Sequence, residues 1–163
     1  LALATPEIGE LAPDFSATDT DGRTHNLSKM VRNGPVILAF FPKAFTGGCR
    51  KELAAFTNRY AEIKGAQLLA ISTDDVETQR EFKMSLDAPF AFISDPTARI
   101  AKLYNVKTQM VPVAKRYTFV IGTDGRIARI DNGRTAMDPT GAIRATAQLV
   151  GGKTAEQPML TTK

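Results

Sequence analysis

The chain alternates short, continuous apolar runs with longer segments in which apolar residues recur at helical spacing. Residues 35–41 read Pro-Val-Ile-Leu-Ala-Phe-Phe and lie between Gly34 and Pro42, which is typical of a central strand buried on both faces. Residues 67–72 are a second run of this kind, and residues 90–93 are a shorter third one. Because helical segments separate these runs, they are predicted to form the parallel core of a sheet.

Four helices are predicted between and after these strands. The first covers about residues 47–64, where apolar side chains recur at helical spacing before Gly65 ends the helix. A carboxylate that accepts free backbone amides marks the start of the next two helices. These run from Asp74 or Asp75 to about Ser85 and from Asp95 to Tyr104, and the last helix covers about residues 140–150.

Two turn signals predict hairpins towards the two ends of the chain. Asp21-Gly22 lies between short Thr-rich runs within residues 14–26. Residues 123–125, Thr-Asp-Gly, separate the strand-like runs 117–121 and 126–130. The later hairpin is expected to add antiparallel edge strands to the parallel core, which predicts an α/β fold with a central mixed sheet flanked by helices.

Length and composition agree with a single globular domain. A chain of 163 residues, of which 43% are hydrophobic and 23% charged, is ordinary for one domain. At this size folding buries roughly 70% of the surface of the unfolded chain, so disulfides are not needed for stability. We therefore expect one domain over residues 1–163, with irregular tails at residues 1–8 and 152–163.

The charges, the lengths of the apolar runs and the numbers of Cys and His exclude several classes of function. The net charge of +4 arises from 21 Lys and Arg against 17 Asp and Glu, scattered without a basic stripe, so nucleic acid is not an expected partner. No stretch approaches the ~20 apolar residues of a membrane span. One Cys and one His cannot form an intramolecular disulfide or a structural zinc site, and we predict no metal or cofactor.

The first four residues, Leu-Ala-Leu-Ala, lie in the predicted N-terminal tail and do not include an initiator Met. They resemble the end of a bacterial signal peptide just before its cleavage site. The expectation is therefore an exported, periplasmic protein, and the alternative is a cloning boundary in a cytoplasmic one.

Cys49, the single cysteine, lies where the central strand leads into the first predicted helix. Reactive groups in open α/β sheets collect at this edge, and the positive end of a helix dipole favours a thiolate in its first turn. Lys43, Arg50 and Lys51 add positive charge nearby. The alternative interpretation is a small, buried, apolar residue, which free cysteines often are.

Pro42, Thr46 and Cys49 form the pattern Pro-x-x-x-Thr-x-x-Cys. This pattern resembles the active-site motif of the peroxiredoxins (the AhpC/TSA superfamily), above all their bacterioferritin-comigratory or Q-type branch. The resemblance extends from Gly9 to about Ile130. It includes the segments 70–74 (Ala-Ile-Ser-Thr-Asp), 95–96 (Asp-Pro) and 116–121 (Arg-Tyr-Thr-Phe-Val-Ile). It implies a thioredoxin-like fold with an N-terminal β-hairpin extension, and a thiol-dependent peroxidase.

The resemblance also implies the roles of individual residues. Cys49 is the peroxidatic cysteine, which attacks the terminal peroxide oxygen and becomes a sulfenic acid. Thr46 offers its hydroxyl to the peroxide and the thiolate, while Pro42 shields the sulfur and also ends the strand. Arg116 stabilises the thiolate and the charge that develops on the departing oxygen. Glu52 either orients Arg116 or is an ordinary glutamate of a first helical turn.

Two further residues carry no predicted role in the site. Lys115, next to Arg116, is expected to be a solvated surface charge. His25 lies in the N-terminal hairpin and is expected to be a surface residue.

The chain departs from the Q-type pattern at two positions. Ala54 stands where many members carry a resolving cysteine, and Gly47 stands where the family often has Pro. A one-cysteine cycle is therefore implied, in which an external thiol reduces the sulfenic acid of Cys49. Glutathione, a thioredoxin-like protein and a small dithiol all remain open as the reductant, and the protein is expected to be a monomer or a homodimer.

Two competing functions are weighed against the peroxidase. A disulfide reductase would need a cysteine at Thr46, since a hydroxyl does not exchange with disulfides at neutral pH. A non-catalytic thioredoxin-fold binding or chaperone-like module is the stronger alternative. Such a module has no need for Thr46, Cys49 and Arg116 together, which favours the peroxidase.

Overall fold

A computed structural model describes residues 4–63 and 65–161, with side chains described as far as residue 151. Leu1–Leu3, which carry most of the predicted signal remnant, lie outside the described residues, as do Lys64 and residues 162–163. The strands are β1 (Ser16–Thr18), β2 (Thr24–Asn26), β3 (Val36–Phe40), β4 (Gln67–Ser72), β5 (Ala91–Ser94), β6 (Tyr117–Ile121) and β7 (Ile127–Asn132). The helices are α1 (Leu27–Met30), α2 (Gly47–Asn58), α3 (Val76–Leu86), α4 (Arg99–Leu103) and α5 (Thr140–Thr161). Three short 3-10 turns cover Val31–Asn33, Tyr60–Glu62 and Thr135–Met137.

Five strands form the central sheet in the order β5-β4-β3-β6-β7. β3, β4 and β5 are parallel, whereas β6 is antiparallel to β3 and β7 is antiparallel to β6. This arrangement confirms the predicted α/β fold with a mixed sheet. The expectation that both strands of the late hairpin lie at the edge was wrong for β6, which pairs with β3 on one side and β7 on the other, and four of its five residues are buried.

The core consists of two layers, one on each face of the sheet. Val36, Leu38 and Phe40 of β3 pack into one layer. This layer also contains apolar side chains of α4 and of the segments that flank the N-terminal hairpin. Ile37 and Ala39 point to the opposite layer, which contains apolar side chains of α2, α3 and α5. Because successive side chains of a strand alternate between faces, two apolar layers require the continuous apolar run seen in β3.

β1 and β2 form the predicted N-terminal hairpin outside the main sheet. The prediction that His25 is a surface residue was wrong: its side chain is 20% exposed, and its Nε2 lies 2.7 Å from Oδ2 of buried Asp19. Burial alone would raise the pKa of Asp19, but hydrogen bonds from His25 and two backbone amides lower it overall. His25 and Asp19 therefore fix the hairpin, a role that sequence patterns do not reveal.

Several helix ends differ from the prediction. α2 ends at Asn58 and is followed by a 3-10 turn, so it does not continue towards residue 64. α5 continues from Thr140 to Thr161, so the expected end near residue 150 and the irregular tail over residues 152–161 were wrong. Gly151, Gly152 and Pro158 are weak helix formers and favour an end near residue 150, so intrinsic propensity does not account for this continuation.

The start of α4 is displaced from the predicted cap. Ala98 adopts the left-handed conformation (φ 59°) directly before the helix, which therefore begins at Arg99 and not after Asp95. The Asp95 carboxylate still accepts hydrogen bonds from the amides of Ile100 and Ala101, at 3.0–3.1 Å. At α3 the open choice is resolved in favour of Asp75, which accepts a hydrogen bond from the amide of Thr78.

The described residues contain neither a membrane-spanning helix nor a cluster of metal-binding side chains. No helix there is long and apolar enough to cross a membrane. No group of three or more His, Cys, Asp or Glu side chains there is placed to hold a metal ion.

Asp95→Ala should lower the free energy of unfolding by roughly 2 kcal/mol, because two buried amides lose their acceptor. Urea unfolding measures this loss. Glu81→Ala, at an exposed position of α3, is the control and should change the free energy by less than about 0.5 kcal/mol. Equal stabilities of Asp95→Ala and wild type would contradict the capping role.

Candidate active site

Cys49 lies in the first turn of α2, which begins at Gly47 just beyond the loop that leaves β3. Its side chain is a free thiol without exposed surface. The unpaired amides of a first helical turn and the helix dipole favour negative charge there. Cys49 therefore lies at the carboxyl end of the central strand, where the sequence predicted it.

Arg116 directly precedes β6 and lies beside Cys49 and Glu52. Its Nη1 donates a hydrogen bond of 2.5 Å to Oε1 of Glu52, whose side chain has no exposed surface. Burial lowers the pKa of Arg116, but Cys49 and Glu52 outweigh this by charge and hydrogen bonding and raise it overall. The guanidinium is therefore the cation shared by the thiol and the carboxyl group.

Glu52 is buried with only one of its two oxygens paired. Oε1 accepts the bond from Arg116, and Oε2 has no hydrogen-bond partner among the described residues. Burial raises the pKa of Glu52 to about 8, although the Arg116 guanidinium opposes the rise. The neutral acid is thus favoured near neutral pH, and it leaves the charge of Arg116 largely available to the sulfur.

Gly48 allows the guanidinium to approach the helix start. A Cβ atom at this position would lie 3.0 Å from Nη2 of Arg116 and 3.7 Å from Cε of Met137. A side chain at this position would therefore require the guanidinium to shift by a few tenths of an ångström. Gly47, by contrast, has no atom within 4 Å of a Cβ atom placed there.

Thr46 and Pro42 lie in the loop between β3 and α2. The Thr46 hydroxyl donates a hydrogen bond of 2.7 Å to the carbonyl oxygen of Lys43 and is exposed. Its side chain makes no capping bond to α2, so its lone pairs are not used by the helix. Pro42 is half-buried where the chain leaves β3.

Asp74 holds this loop against the neighbouring strand. Its Oδ2 accepts a hydrogen bond of 2.7 Å from the amide of Ala44 and one of 2.6 Å from Oγ of Ser72. The sequence interpretation considered Asp74 only as a helix cap. Its carboxylate can hold the loop after β3 only because β3 and β4 lie side by side. This pairing brings Ala44 and Asp74, which are distant in the sequence, into contact.

Phe45 was not singled out from the sequence, yet it shapes the loop. It has a positive φ of 65° and is 42% exposed, and its ring lies 5.1 Å from the ring of Phe82. The guanidinium of Arg50 lies over both rings, at 5.5 and 5.9 Å from their centres. Such a conformation costs about 1–2 kcal/mol in a non-glycine residue, which these contacts help to offset.

The two remaining cations of the prediction, Lys43 and Lys51, are exposed, and so is Lys115. Lys115 donates its amide to the carbonyl oxygen of Val106, whereas the next residue, Arg116, reaches the site. The structure thus brings together Cys49, Glu52 and Arg116, with the loop of Pro42 and Thr46 beside them.

Comparison with known proteins agrees with this geometry. The AhpC/TSA family matches residues 8–130. A rice protein, peroxiredoxin Q, is 35% identical over 127 residues, which cover 76% of this chain and 58% of the rice protein. A putative peroxiredoxin of Mycobacterium tuberculosis is 34% identical over 139 residues, covering 81% and 89% of the two chains.

The crystal structure of peroxidoxin BcpB from Mycobacterium tuberculosis has the same fold. It superposes with a TM-score of 0.80 at 31% identity and covers 90% of this chain and 97% of that one. The chain therefore belongs to the AhpC/TSA family, and its relatives include peroxiredoxins of the Q type. It spans only 58% of the length of the rice protein.

Glu52→Gln should make the free energy of unfolding less dependent on pH. The pKa of Glu52 is about 8 in the folded chain against an ordinary value of 4.5, so the folded state keeps a proton that the unfolded state loses. The contribution of the protonated Glu52 to the free energy of unfolding is fully present below about pH 4.5. It is lost as the pH rises through about 8. Urea unfolding across this range measures the slope.

The exposed Glu81→Gln is the control for this experiment and should retain the wild-type slope. A wild-type slope in Glu52→Gln would show that Glu52 is ionised in the folded chain.

Asp74→Ala should expose Cys49 more often, because the amide of Ala44 loses its acceptor. A loss of one to two hydrogen bonds corresponds to about a tenfold larger population of the opened loop. Alkylation of the native protein by iodoacetamide measures this opening. Asp75→Ala, which removes only the cap of α3, is the matched control, and equal alkylation rates for the two variants would contradict the role of Asp74.

Proposed function

We propose that the protein is a thiol-dependent peroxidase that reduces hydrogen peroxide or organic hydroperoxides through a sulfenic acid on Cys49. The observation that carries the proposal is the free thiol of Cys49 at a helix start, interacting with the guanidinium of Arg116. Membership of the AhpC/TSA family and its relatives named peroxiredoxin support the same chemistry.

In the first step the Cys49 thiolate attacks the terminal oxygen of the hydroperoxide. The new S–O bond forms as the O–O bond breaks, so sulfur is oxidised to the sulfenic acid and the peroxide is reduced to an alkoxide or hydroxide, which takes a proton. Arg116 stabilises both the thiolate and the negative charge on the departing oxygen.

The other site residues position this reaction. Glu52 holds Arg116 in place, and as a neutral acid it does not compete with the sulfur for the positive charge. The Thr46 hydroxyl, which donates to Lys43, offers its lone pairs to the peroxide O–H group. Pro42 shields the sulfur from solvent at the end of β3.

An external thiol must complete the cycle, because Cys49 is the only cysteine of the chain and Ala54 stands at the position of the resolving cysteine. Peroxiredoxins act on peroxides together with thiol reductants such as thioredoxin. For this chain, glutathione, a thioredoxin-like protein or a small dithiol would provide the two electrons. One chain contains every residue of the proposed site, so a monomer is sufficient for activity and a homodimer is compatible with it.

Cys49→Ser should abolish peroxide consumption, and Arg116→Ala should slow the oxidation of Cys49 by at least about a hundredfold, since a stabilising donor in the transition state is lost. The rate of sulfenic acid formation is measured by dimedone trapping and mass determination of the intact chain. The matched control is Lys115→Ala, which removes a neighbouring exposed cation and should react at the wild-type rate.

Two results would contradict the peroxidase. One is wild-type protein that gives no dimedone adduct after minutes with one equivalent of hydrogen peroxide. The other is Cys49→Ser protein that still consumes peroxide. The first result would favour the non-catalytic binding module instead.

A further inference from the structure

A cavity of about 600 Å³ lies beside the start of α2. One wall consists of Lys51 and Ala55 of α2 and of Arg59, the residue directly after its end, and these three residues are spaced four apart. The other wall is the segment 134–139 around the last 3-10 turn. Three cations lie among the cavity's seven lining residues.

Positive charge in this cavity is only partly neutralised. Arg59 donates hydrogen bonds of 3.0 and 3.1 Å to Glu62 and one of 2.6 Å to Thr140, so its charge is paired. Lys51 and Arg134 are exposed and form no ion pair with any described residue.

Asp138 is the one carboxylate in the lining, and its Oδ1 accepts a hydrogen bond of 3.0 Å from the amide of Thr140. This amide and nearby arginines lower the pKa of Asp138, which therefore carries its negative charge. Two cations without an ion pair, Lys51 and Arg134, against this single carboxylate leave the cavity positive.

The cavity adjoins the proposed active site through Met137. Met137 lines the cavity, and its Cε would lie 3.7 Å from a Cβ atom at Gly48, next to Cys49. Nη2 of Arg116 would lie 3.0 Å from the same point. A molecule bound here is therefore close to the first turn of α2, at the residue that precedes the nucleophile.

We propose that this cavity binds a low-molecular-weight thiol that carries carboxylates, of which glutathione is the test case, and presents it to oxidised Cys49. The inference rests on the proposed peroxidase function and specifies its reductant. The carboxylates would pair with Lys51 and Arg134, and the aliphatic part would contact Ala55 and Met137. Concave sites of this size suit small molecules, whereas a protein reductant needs an interface of about 1,000 Å² or more.

The chemistry takes two molecules of thiol. The first thiolate attacks the sulfur of the sulfenic acid, which forms a mixed disulfide with Cys49 and releases hydroxide; the proton given up by the thiol converts this to water. A second thiolate attacks the mixed disulfide, which restores the Cys49 thiolate and releases the disulfide of the reductant. The two thiols together supply the two electrons that the peroxide received.

The sulfur must leave its buried position for this reaction, because Cys49 has no exposed surface. Gly47 and Gly48 make the first turn of α2 the easiest part of the helix to open, since glycine is among the weakest helix formers. The proposal requires that opening at this turn brings the oxidised sulfur to the wall that contains Met137.

The test is reduction of preformed sulfenic acid by two thiols of different charge. Wild-type protein is oxidised with one equivalent of hydrogen peroxide, and the decay of the sulfenic acid is followed with glutathione or with neutral 2-mercaptoethanol. The double variant Lys51→Glu/Arg134→Glu should react about tenfold more slowly with glutathione, because two attractive charges become repulsive. With 2-mercaptoethanol it should keep the wild-type rate.

Lys29→Glu/Lys102→Glu, at exposed positions of α1 and α4, changes the net charge equally and should react with glutathione like wild type. Equal rates of the cavity variant and wild type with glutathione would overturn the proposal, as would equal slowing with both thiols. The proposal would also be overturned if glutathione did not reduce the sulfenic acid while a thioredoxin reduced it equally fast in wild type and in the cavity variant. Wild-type protein that forms no sulfenic acid would instead refute the peroxidase itself.

Discussion

Arg116 is the charged group on which the rest of the site depends, because it interacts with two ionisable groups of α2 that have no access to solvent. Cys49 and Glu52 have no exposed surface, and a buried anion without a partner is strongly destabilising. The guanidinium bonds to one oxygen of Glu52 and interacts with the sulfur. Burial favours the neutral form of Glu52, and in the proposed peroxidase the sulfur of Cys49 is the group whose negative charge this cation would stabilise.

The sheet topology brings this cation to the nucleophile. β6 runs antiparallel to β3, and its first residue, Tyr117, pairs with Phe40, the last residue of β3. Arg116 therefore lies at the point where the chain leaves β3 towards α2. A parallel neighbour would have its last residue at this edge, so the antiparallel pairing is what supplies a side chain from the start of a strand.

The same edge of the sheet supports both proposed half-reactions. Asp74, at the end of β4, holds the loop before the nucleophile, so peroxide meets a fixed arrangement of groups. On the outer side of α2, Lys51 and the last 3-10 turn form the positive cavity proposed for the reductant. Gly48 lies between the two regions, since a Cβ atom placed there would meet both Arg116 and Met137.

The amino-acid sequence by itself determined the order of strands and helices, the buried central strand and the place of Cys49 at a helix start. These features follow from periodicity and turn residues, which are local. Pairing of His25 with Asp19, the interior position of β6 and the role of Asp74 came only from the tertiary structure. Each depends on which distant segments become neighbours, and the raised pKa of Glu52 likewise depends on burial by the assembled fold.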